Sequence, residues 1–178
     1  MESILSLDHI YYSYHDKNGE TPVINDLSFE IKPGSFTSIV GPSGCGKSTL
    51  LSLLCDLIKP EAGTIYIRPP ENNTDSRMGY MLQKDNLFEW RSIYKNVMLG
   101  LEINNKKTPE NIAYVNHLLE QYDLAEFKSA RPSQLSGGMR QRAALIRTLA
   151  LKPDILLLDE PFSCLLYTSD AADDSLRV

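Results

Sequence analysis

A glycine-rich loop between an apolar stretch and an apolar-faced helix constrains this chain more than any other feature. Residues Gly41–Thr49 match the pattern G-x-x-x-x-G-K-[ST], and Phe36–Val40 before them predicts a buried strand. Glycines let successive backbone N–H groups curl around an anion without a Cβ in the way. The helix that begins at Lys47 adds the positive end of its dipole. The pattern therefore predicts a phosphate-binding loop rather than a plain glycine-rich turn.

Each position of this loop is a candidate ligand of a nucleotide's phosphates. Lys47 is expected to place its ammonium on the β- and γ-phosphates, and Ser48 to bring its hydroxyl to a Mg²⁺ ion. Cys45 fills a free position of the pattern and is given no chemistry of its own. The candidate ligands are Gly41, Pro42, Ser43, Gly44, Cys45, Gly46, Lys47, Ser48 and Thr49.

Composition narrows the class of protein and its compartment. The 178 residues, 42% of them hydrophobic, predict one domain with one core. A net charge of −5 without a basic cluster argues against nucleic acid as the main partner. The sequence contains no signal-peptide pattern and no apolar run near the roughly 18 residues of a membrane span. The three cysteines lack metal or disulfide spacing, so we expect a reducing, cytosolic environment.

The remaining patterns predict short strands on both sides of a mostly helical insertion. The predicted strands are Ile4–Ile10, Val23–Ile31, Phe36–Val40, Thr64–Ile67 and Met78–Leu82. From Lys84 to Ala130 the apolar residues recur at helical spacing, and Thr108-Pro109-Glu110 is typical of a helix start. Trp90 is interpreted as core packing rather than as a contact site.

Two acids follow the apolar run Ile155–Leu158. A continuous run predicts a strand buried on both faces, and ligands bind at the carboxyl ends of strands in open parallel sheets. Asp159 is expected to hold Mg²⁺, and Glu160 to accept a proton from the water that attacks the γ-phosphate. The alternative is an ordinary acidic strand end, which the upstream phosphate loop makes a poor explanation. Both acids are expected to close on the same spot as Lys47.

A second candidate anion site precedes the helix after residue 136. Ser136 is a natural N-cap, and Gly137 and Gly138 expose the backbone donors of the first helical turn. Alone, this sequence is usually only a cap. One chain would then carry two phosphate-binding devices for one nucleotide, which favours a dimer in which each chain closes the other's nucleotide.

Three stretches together resemble the motifs of ATP-binding cassette (ABC) ATPases: Gly41–Thr49, Leu135–Arg142 and Ile155–Glu160. The resemblance covers roughly residues 3–163. It implies an α/β fold with a P-loop NTPase (RecA-like) core, an N-terminal antiparallel β subdomain and a helical insertion subdomain at residues 84–150, incomplete at the C-terminus. ATP and Mg²⁺ are the implied cofactors.

Further site residues are assigned by this resemblance alone. Tyr14 is implied to stack on adenine; its alternative is local packing within a group of tyrosines. Gln83 is implied to contact Mg²⁺ and the attacking water and to connect to the helical subdomain. Ser136–Gly138 are implied to face the partner chain's γ-phosphate. The Lys84–Arg91 neighbourhood is implied to lie near the groove that accepts a coupling helix from a membrane permease.

The phosphate loop and the Trp90 region look most like importer ATPases of the nitrate/sulfonate/taurine group. The implied activity is ATP hydrolysis that drives transport, on the cytoplasmic side of the cell membrane. The implied partners are a transmembrane permease, a second ATPase subunit and, indirectly, a periplasmic or extracellular solute-binding protein. Two alternatives stay open: a soluble ABC ATPase working on DNA or ribosomes, and a nucleotide-binding module without catalysis.

The resemblance ends at Ser163. Leu166 stands where the family has a dimer-interface aspartate, and Cys164–Val178 resemble translated sequencing-adapter read-through, so we expect a non-native tail. In the related fold the next strand lies between the Asp159 strand and the phosphate-loop strand, and it leads to a switch histidine. The histidines of this chain lie elsewhere, at His9, His15 and His117. We expect unpaired backbone, apolar edges and poor hydrolysis from the chain as written.

Overall fold

The computed structural model describes residues 3–17, 19–68 and 78–161. The chain divides into two compact units, residues 1–76 and 77–178. None of the helices in the described ranges combines the length and the hydrophobicity needed to cross a bilayer.

The first unit is built on an antiparallel sheet of three strands, β1 (Leu5–Asp16), β2 (Gly19–Ile31) and β3 (Ala62–Ile67). The central strand is β1, which pairs with β2 on one side and β3 on the other. Alternate apolar side chains of β1 are buried, as expected for a strand with one covered face. Helix α1 (Lys47–Leu54) also buries its leucines in this unit. The predicted N-terminal antiparallel β subdomain is therefore confirmed.

The strand predicted at Phe36–Val40 is wrong for this structure. These residues form no strand, and Phe36 and Val40 are 94% and 90% exposed. Apolar residues form a buried strand only if neighbouring strands take up their backbone hydrogen bonds. Within the described residues of this unit, the sheet consists of β2, β1 and β3 and offers residues 36–40 no pairing partner.

The second unit joins a parallel strand pair to a set of helices. Its elements are β4 (Met78–Met81), α2 (Ile93–Val97), α3 (Leu99–Ile103), α4 (Pro109–Gln121), 3₁₀ turns at Ala125–Phe127 and Pro132–Gln134, α5 (Gly137–Leu149) and β5 (Ile155–Leu158). The two strands pair in parallel, with Met81 opposite Leu158. The helices bury one apolar cluster that includes Ile93, Val115 and Ile146.

The predicted helix starts are confirmed by their caps. The Thr108 hydroxyl accepts a hydrogen bond from the Asn111 backbone N–H (3.2 Å), and Pro109 follows as the first residue of α4. The Ser136 hydroxyl accepts from the Met139 N–H (3.3 Å) at the start of α5. Each cap satisfies a backbone donor that the helix itself leaves unpaired.

Two burial predictions in this unit are wrong. Trp90 is not a core residue: it is 72% exposed and packs on Phe88, with the ring centroids 4.8 Å apart. The strand β5 is not buried on both faces, because Leu156 is 37% exposed while Leu157 is 7% exposed. Among the described residues β5 pairs only with β4, so one edge of the strand has no sheet neighbour.

Candidate active site

The phosphate loop has a backbone that only glycine accepts at its last turn. Gly46 is the N-cap of α1 and has a left-handed φ of 96°. A Cβ at this position would lie 2.8 Å from the Val23 Cγ1 atom and 3.2 Å from the Val23 carbonyl oxygen. Gly44 is also left-handed, with φ 78°. The loop thus turns sharply into α1, whose first-turn N–H groups have no partners within the helix.

Lys47 folds back over this loop. Its ammonium donates to the carbonyl oxygens of Gly41 and Pro42, each 2.9 Å away, and lies 4.0 Å from the Cys45 Sγ atom. The lysine therefore sits across the mouth of the loop that it is predicted to serve. An anion that enters the loop would meet a positive charge there.

Tyr14 lies close to the same helix. Its hydroxyl is 3.2 Å from the Thr49 Oγ1 atom, and its ring contacts Tyr12 edge-on at 5.2 Å between centroids. The residue is nevertheless 49% exposed. Tyr14 thus packs locally and stays half exposed, and its role in adenine stacking stays a prediction. Ser48 is exposed at the start of α1 and Thr49 is buried.

In the second unit, Asp159 follows β5 as predicted. It is 6% exposed, and its backbone N–H donates to the Met81 carbonyl (3.0 Å), which extends the β4–β5 ladder. The Tyr80 hydroxyl donates to the Asp159 Oδ2 atom at 3.4 Å. Burial of a carboxylate at a strand end is costly without donors or a cation, so the tyrosine holds the acid in one orientation.

Gln83 and Glu160 meet directly. The Gln83 side-chain amide donates to the Glu160 Oε2 atom at 2.7 Å. Glu160 has a left-handed φ of 46°, which is uncommon for a residue with a Cβ. The sequence pattern predicted Glu160 for the site and the family resemblance implied Gln83, and the two side chains are in contact in the structure.

Side chains of helix α5 are hydrogen-bonded to the backbone of the segment that begins at Gln83. The Gln141 amide donates to the Gln83 carbonyl at 3.1 Å, and the Arg147 guanidinium donates to the Asp85 and Asn86 carbonyls at 2.7 Å each. Burial lowers the pKa of Arg147, and the nearby Asp85 charge partly opposes this. The implied connection of Gln83 to the helical region is thus a hydrogen bond from Gln141 of α5.

Ser136, Gly137 and Gly138 open α5, as predicted. Ser136 is exposed and the two glycines are partly exposed, so the first-turn donors are accessible. Arg140 ties this end of the helix down: it donates to the Leu135 carbonyl (2.9 Å) and to the Asp85 carboxylate (3.0 Å).

Several residues that position the site were not identified from sequence. Tyr80, Gln141 and Arg147 act through hydrogen bonds to partners far away in sequence. A usable signal existed only for Asn96, a polar residue on the apolar face of α2 that is fully buried.

Lys47 and Glu160 belong to different units of the chain. Their meeting in one cleft stays a prediction, as do the catalytic and metal-binding roles given to individual residues. Ser163, Leu166 and the predicted non-native tail Cys164–Val178 lie outside the described residues.

Comparison with known proteins identifies the family. Residues 24–163 match the family described as ABC transporter. YtlC of Bacillus subtilis (strain 168), an uncharacterized ABC transporter ATP-binding protein, is 45% identical over 98% of this chain and 67% of its own length. The taurine import ATP-binding protein TauB of Jannaschia sp. (strain CCS1) is 40% identical over 83% of this chain and 55% of its own.

Solved structures of ATP-binding cassettes have a similar fold. The ATP-binding cassette MJ0796, in a dimeric post-hydrolysis state bound to ADP and Pi, matches with a TM-score of 0.78 and 31% identity over 90% of this chain and 75% of that one. The predicted P-loop NTPase fold is thereby confirmed. The chain spans about half to two thirds of the length of the two curated relatives. By its family match and its relatives alike, the chain belongs to the ABC transporter family.

Proposed function

We propose that this chain is the ATP-binding portion of a transport ATPase that binds Mg-ATP and hydrolyses it to drive import. The observation that carries the proposal is the phosphate loop: Gly46 fits only as glycine, and Lys47 lies across the loop within reach of an entering anion. The family match and the import function named for TauB support the transport role. Nitrate, sulfonate or taurine is the proposed class of substrate.

The residues present fit the nucleotide and its metal. Gly41–Thr49 offer backbone donors and one ammonium for the phosphates, and half of the Tyr14 surface is accessible for adenine stacking. Ser48, Gln83 and Asp159 offer the oxygen ligands that Mg²⁺ prefers. When bound, Mg²⁺ would neutralise charge on the β- and γ-phosphates.

Hydrolysis is assigned to Glu160, with Gln83 as its neighbour. Glu160 accepts the proton of the attacking water, a role worth roughly 10²–10⁴ in rate. The Gln83 amide now occupies one oxygen of that carboxylate at 2.7 Å. An acid that is already hydrogen-bonded is oriented, but this oxygen must exchange its partner before it can take a proton from water.

The partners follow from the same proposal. Ser136, Gly137 and Gly138 face the γ-phosphate held by a second ATPase chain, since their donors are accessible at the start of α5. The exposed Trp90 region meets the coupling helix of a transmembrane permease, which places the chain peripherally on the cytoplasmic side of the membrane. A solute-binding protein outside the cell acts only indirectly.

Nucleotide binding tests the proposal on the chain as it stands. Trinitrophenyl-ATP with Mg²⁺ is titrated into the wild type, Lys47→Ala and Lys59→Ala while fluorescence is followed. Wild type and Lys59→Ala are expected to bind alike, because Lys59 is an exposed lysine ion-paired with Asp56 outside the loop. Lys47→Ala removes the ammonium group that is proposed to contact the β- and γ-phosphates. The affinity of this variant for the nucleotide is therefore expected to fall by about tenfold or more.

Equal affinity of the two lysine variants would contradict the proposed role of the loop. Absence of saturable binding in the wild type would overturn the proposed function.

A further inference from the structure

Three side chains of types that can ligate a metal converge on the sheet of the first unit. One ligand atom from each of His15, Glu20 and Glu61 lies within 4.8 Å of the others. The His15 Nε2 atom and the Glu61 Oε1 atom are 2.6 Å apart. All three side chains are exposed, so an ion from solvent can reach them.

The backbone holds these side chains in place. His15 and Glu20 are direct partners in the β1–β2 register. The Glu61 backbone N–H donates to the Tyr11 carbonyl at 2.9 Å, which anchors the turn before β3 to β1. Two paired strands and the turn that is hydrogen-bonded to one of them thus supply one ligand each. Rigid elements position ligands better than loops do.

A buried serine hydroxyl donates a hydrogen bond to one of the ligands. Ser13 is 7% exposed and donates to the Glu20 Oε1 atom at 2.8 Å. Hydrogen bonds of this kind orient ligating carboxylates in known metal sites. The two carboxylates would repel each other if no positive charge lay between them.

We propose that His15, Glu20 and Glu61 form a binding site for a divalent transition-metal ion of the Zn²⁺ and Co²⁺ class. One imidazole nitrogen and two carboxylate oxygens are ligands that Zn²⁺ takes, with a water in the fourth position. Mg²⁺ prefers oxygen ligands alone, so the imidazole selects against it. Two ligand atoms on a tetrahedral ion are roughly 3.4 Å apart, so the ion replaces the His15–Glu61 hydrogen bond after a small side-chain rotation.

Protons compete with the metal for this site. The hydrogen bond to Glu61 raises the pKa of His15, and the same bond lowers the pKa of Glu61. A metal binds only the unprotonated imidazole.

Metal titration of untagged, nucleotide-free protein tests the site. Isothermal titration with Zn²⁺ and absorption with Co²⁺ are expected to show one ion per chain, undisturbed by excess Mg²⁺. His15→Ala is expected to bind at least about tenfold more weakly. His9→Ala is the matched control, since His9 lies on the same strand beside an acid (Nδ1 2.5 Å from Asp26) and is expected to leave binding unchanged.

A second measurement needs no variant. Zn²⁺ is expected to slow the modification of His15 by diethyl pyrocarbonate, read by mass spectrometry, while the exposed His9 and His117 react at unchanged rates. Equal weakening by His9→Ala and His15→Ala, no saturable binding, or equal protection of all three histidines would each overturn the site.

Discussion

The Asn96 side chain holds the turn at residues 88–92 through several hydrogen bonds. It is fully buried, its Oδ1 atom accepts from the Phe88 N–H (2.8 Å), and its amide group donates to the carbonyls of Phe88, Arg91 and Ser92 at 3.1–3.2 Å. These bonds shape the turn that carries the exposed Trp90. A buried amide with this many partners is costly to replace, because the Phe88 N–H would lose its acceptor, whereas the Phe88 and Ser92 carbonyls also accept from backbone N–H groups.

The first prediction concerns this residue. Asn96→Ala is expected to lower the free energy of unfolding by about 2–3 kcal/mol, because the Phe88 N–H loses its acceptor in a buried place. Urea denaturation of the chain measures the effect. Asn104→Ala is the control: Asn104 is exposed, makes one side-chain bond to the Gly100 carbonyl (2.8 Å) and is expected to change stability by less than about 0.5 kcal/mol. Similar losses in both variants would contradict the role given to Asn96.

Among the elements, helix α5 has two roles: it begins with Ser136–Gly138, and it binds a neighbouring segment of backbone. Its side chains donate to three backbone carbonyls of the segment that begins at Gln83: those of Gln83, Asp85 and Asn86. Asn86 has a left-handed φ of 45°, a conformation that costs energy and persists only when its surroundings enforce it. Helix and segment are therefore expected to move as one body.

The second prediction follows from that grip. Arg147→Ala is expected to lower stability by about 2 kcal/mol and to speed hydrogen exchange at the Leu87 amide, which is bonded to the Asp85 side chain at 3.1 Å. Arg142→Ala is the matched control, because Arg142 lies on the same helix but donates to the Tyr122 carbonyl (2.9 Å). It is expected to leave exchange at Leu87 unchanged, and faster exchange in both variants would show that α5 is merely destabilised.

At the scale of the whole molecule, apolar surface is left uncovered. Phe36, Ile39 and Val40 are 94%, 40% and 90% exposed and lie together in sequence. Scattered single apolar residues are normal on a protein surface, whereas an exposed apolar segment, here the patch of Phe36, Ile39 and Val40, is a candidate interface or aggregation site.

The third prediction tests this patch. The chain is expected to bind the dye anilinonaphthalene sulfonate, and Phe36→Ser is expected to reduce the fluorescence clearly. Leu57→Ser serves as control, since Leu57 is 65% exposed but stands outside the patch. If the two variants reduced the signal equally, the patch would have no special role in the dye binding.

Prediction from sequence succeeded where local physics decides the structure. The start of α1 at Lys47, the caps Thr108 and Ser136 and the strand before Asp159 were all predicted. Caps, glycine turns and apolar alternation act between residues close in sequence, so a pattern can show them. Gln83 was assigned to the site by family resemblance rather than by a local pattern, and its contact with Glu160 was not predicted.

Burial was predicted less well, because it depends on which other elements of the fold pack against a residue. Trp90 and Phe36–Val40 were expected inside and lie outside. An apolar side chain is buried only when the fold brings a second surface to it, and a strand exists only beside another strand. Neither condition is written in the stretch itself.

The sequence alone determined the phosphate loop, the two acids after β5 and the capped start of α5, because each depends on residue type at fixed spacing. Only the tertiary structure decided which distant side chains contact these regions, such as Tyr80 on Asp159 and Arg147 on the loop after Gln83. It also decided that His15, Glu20 and Glu61 form one cluster. These contacts join residues far apart in the chain, and a hydrogen bond exists only after folding has set the distance between its atoms.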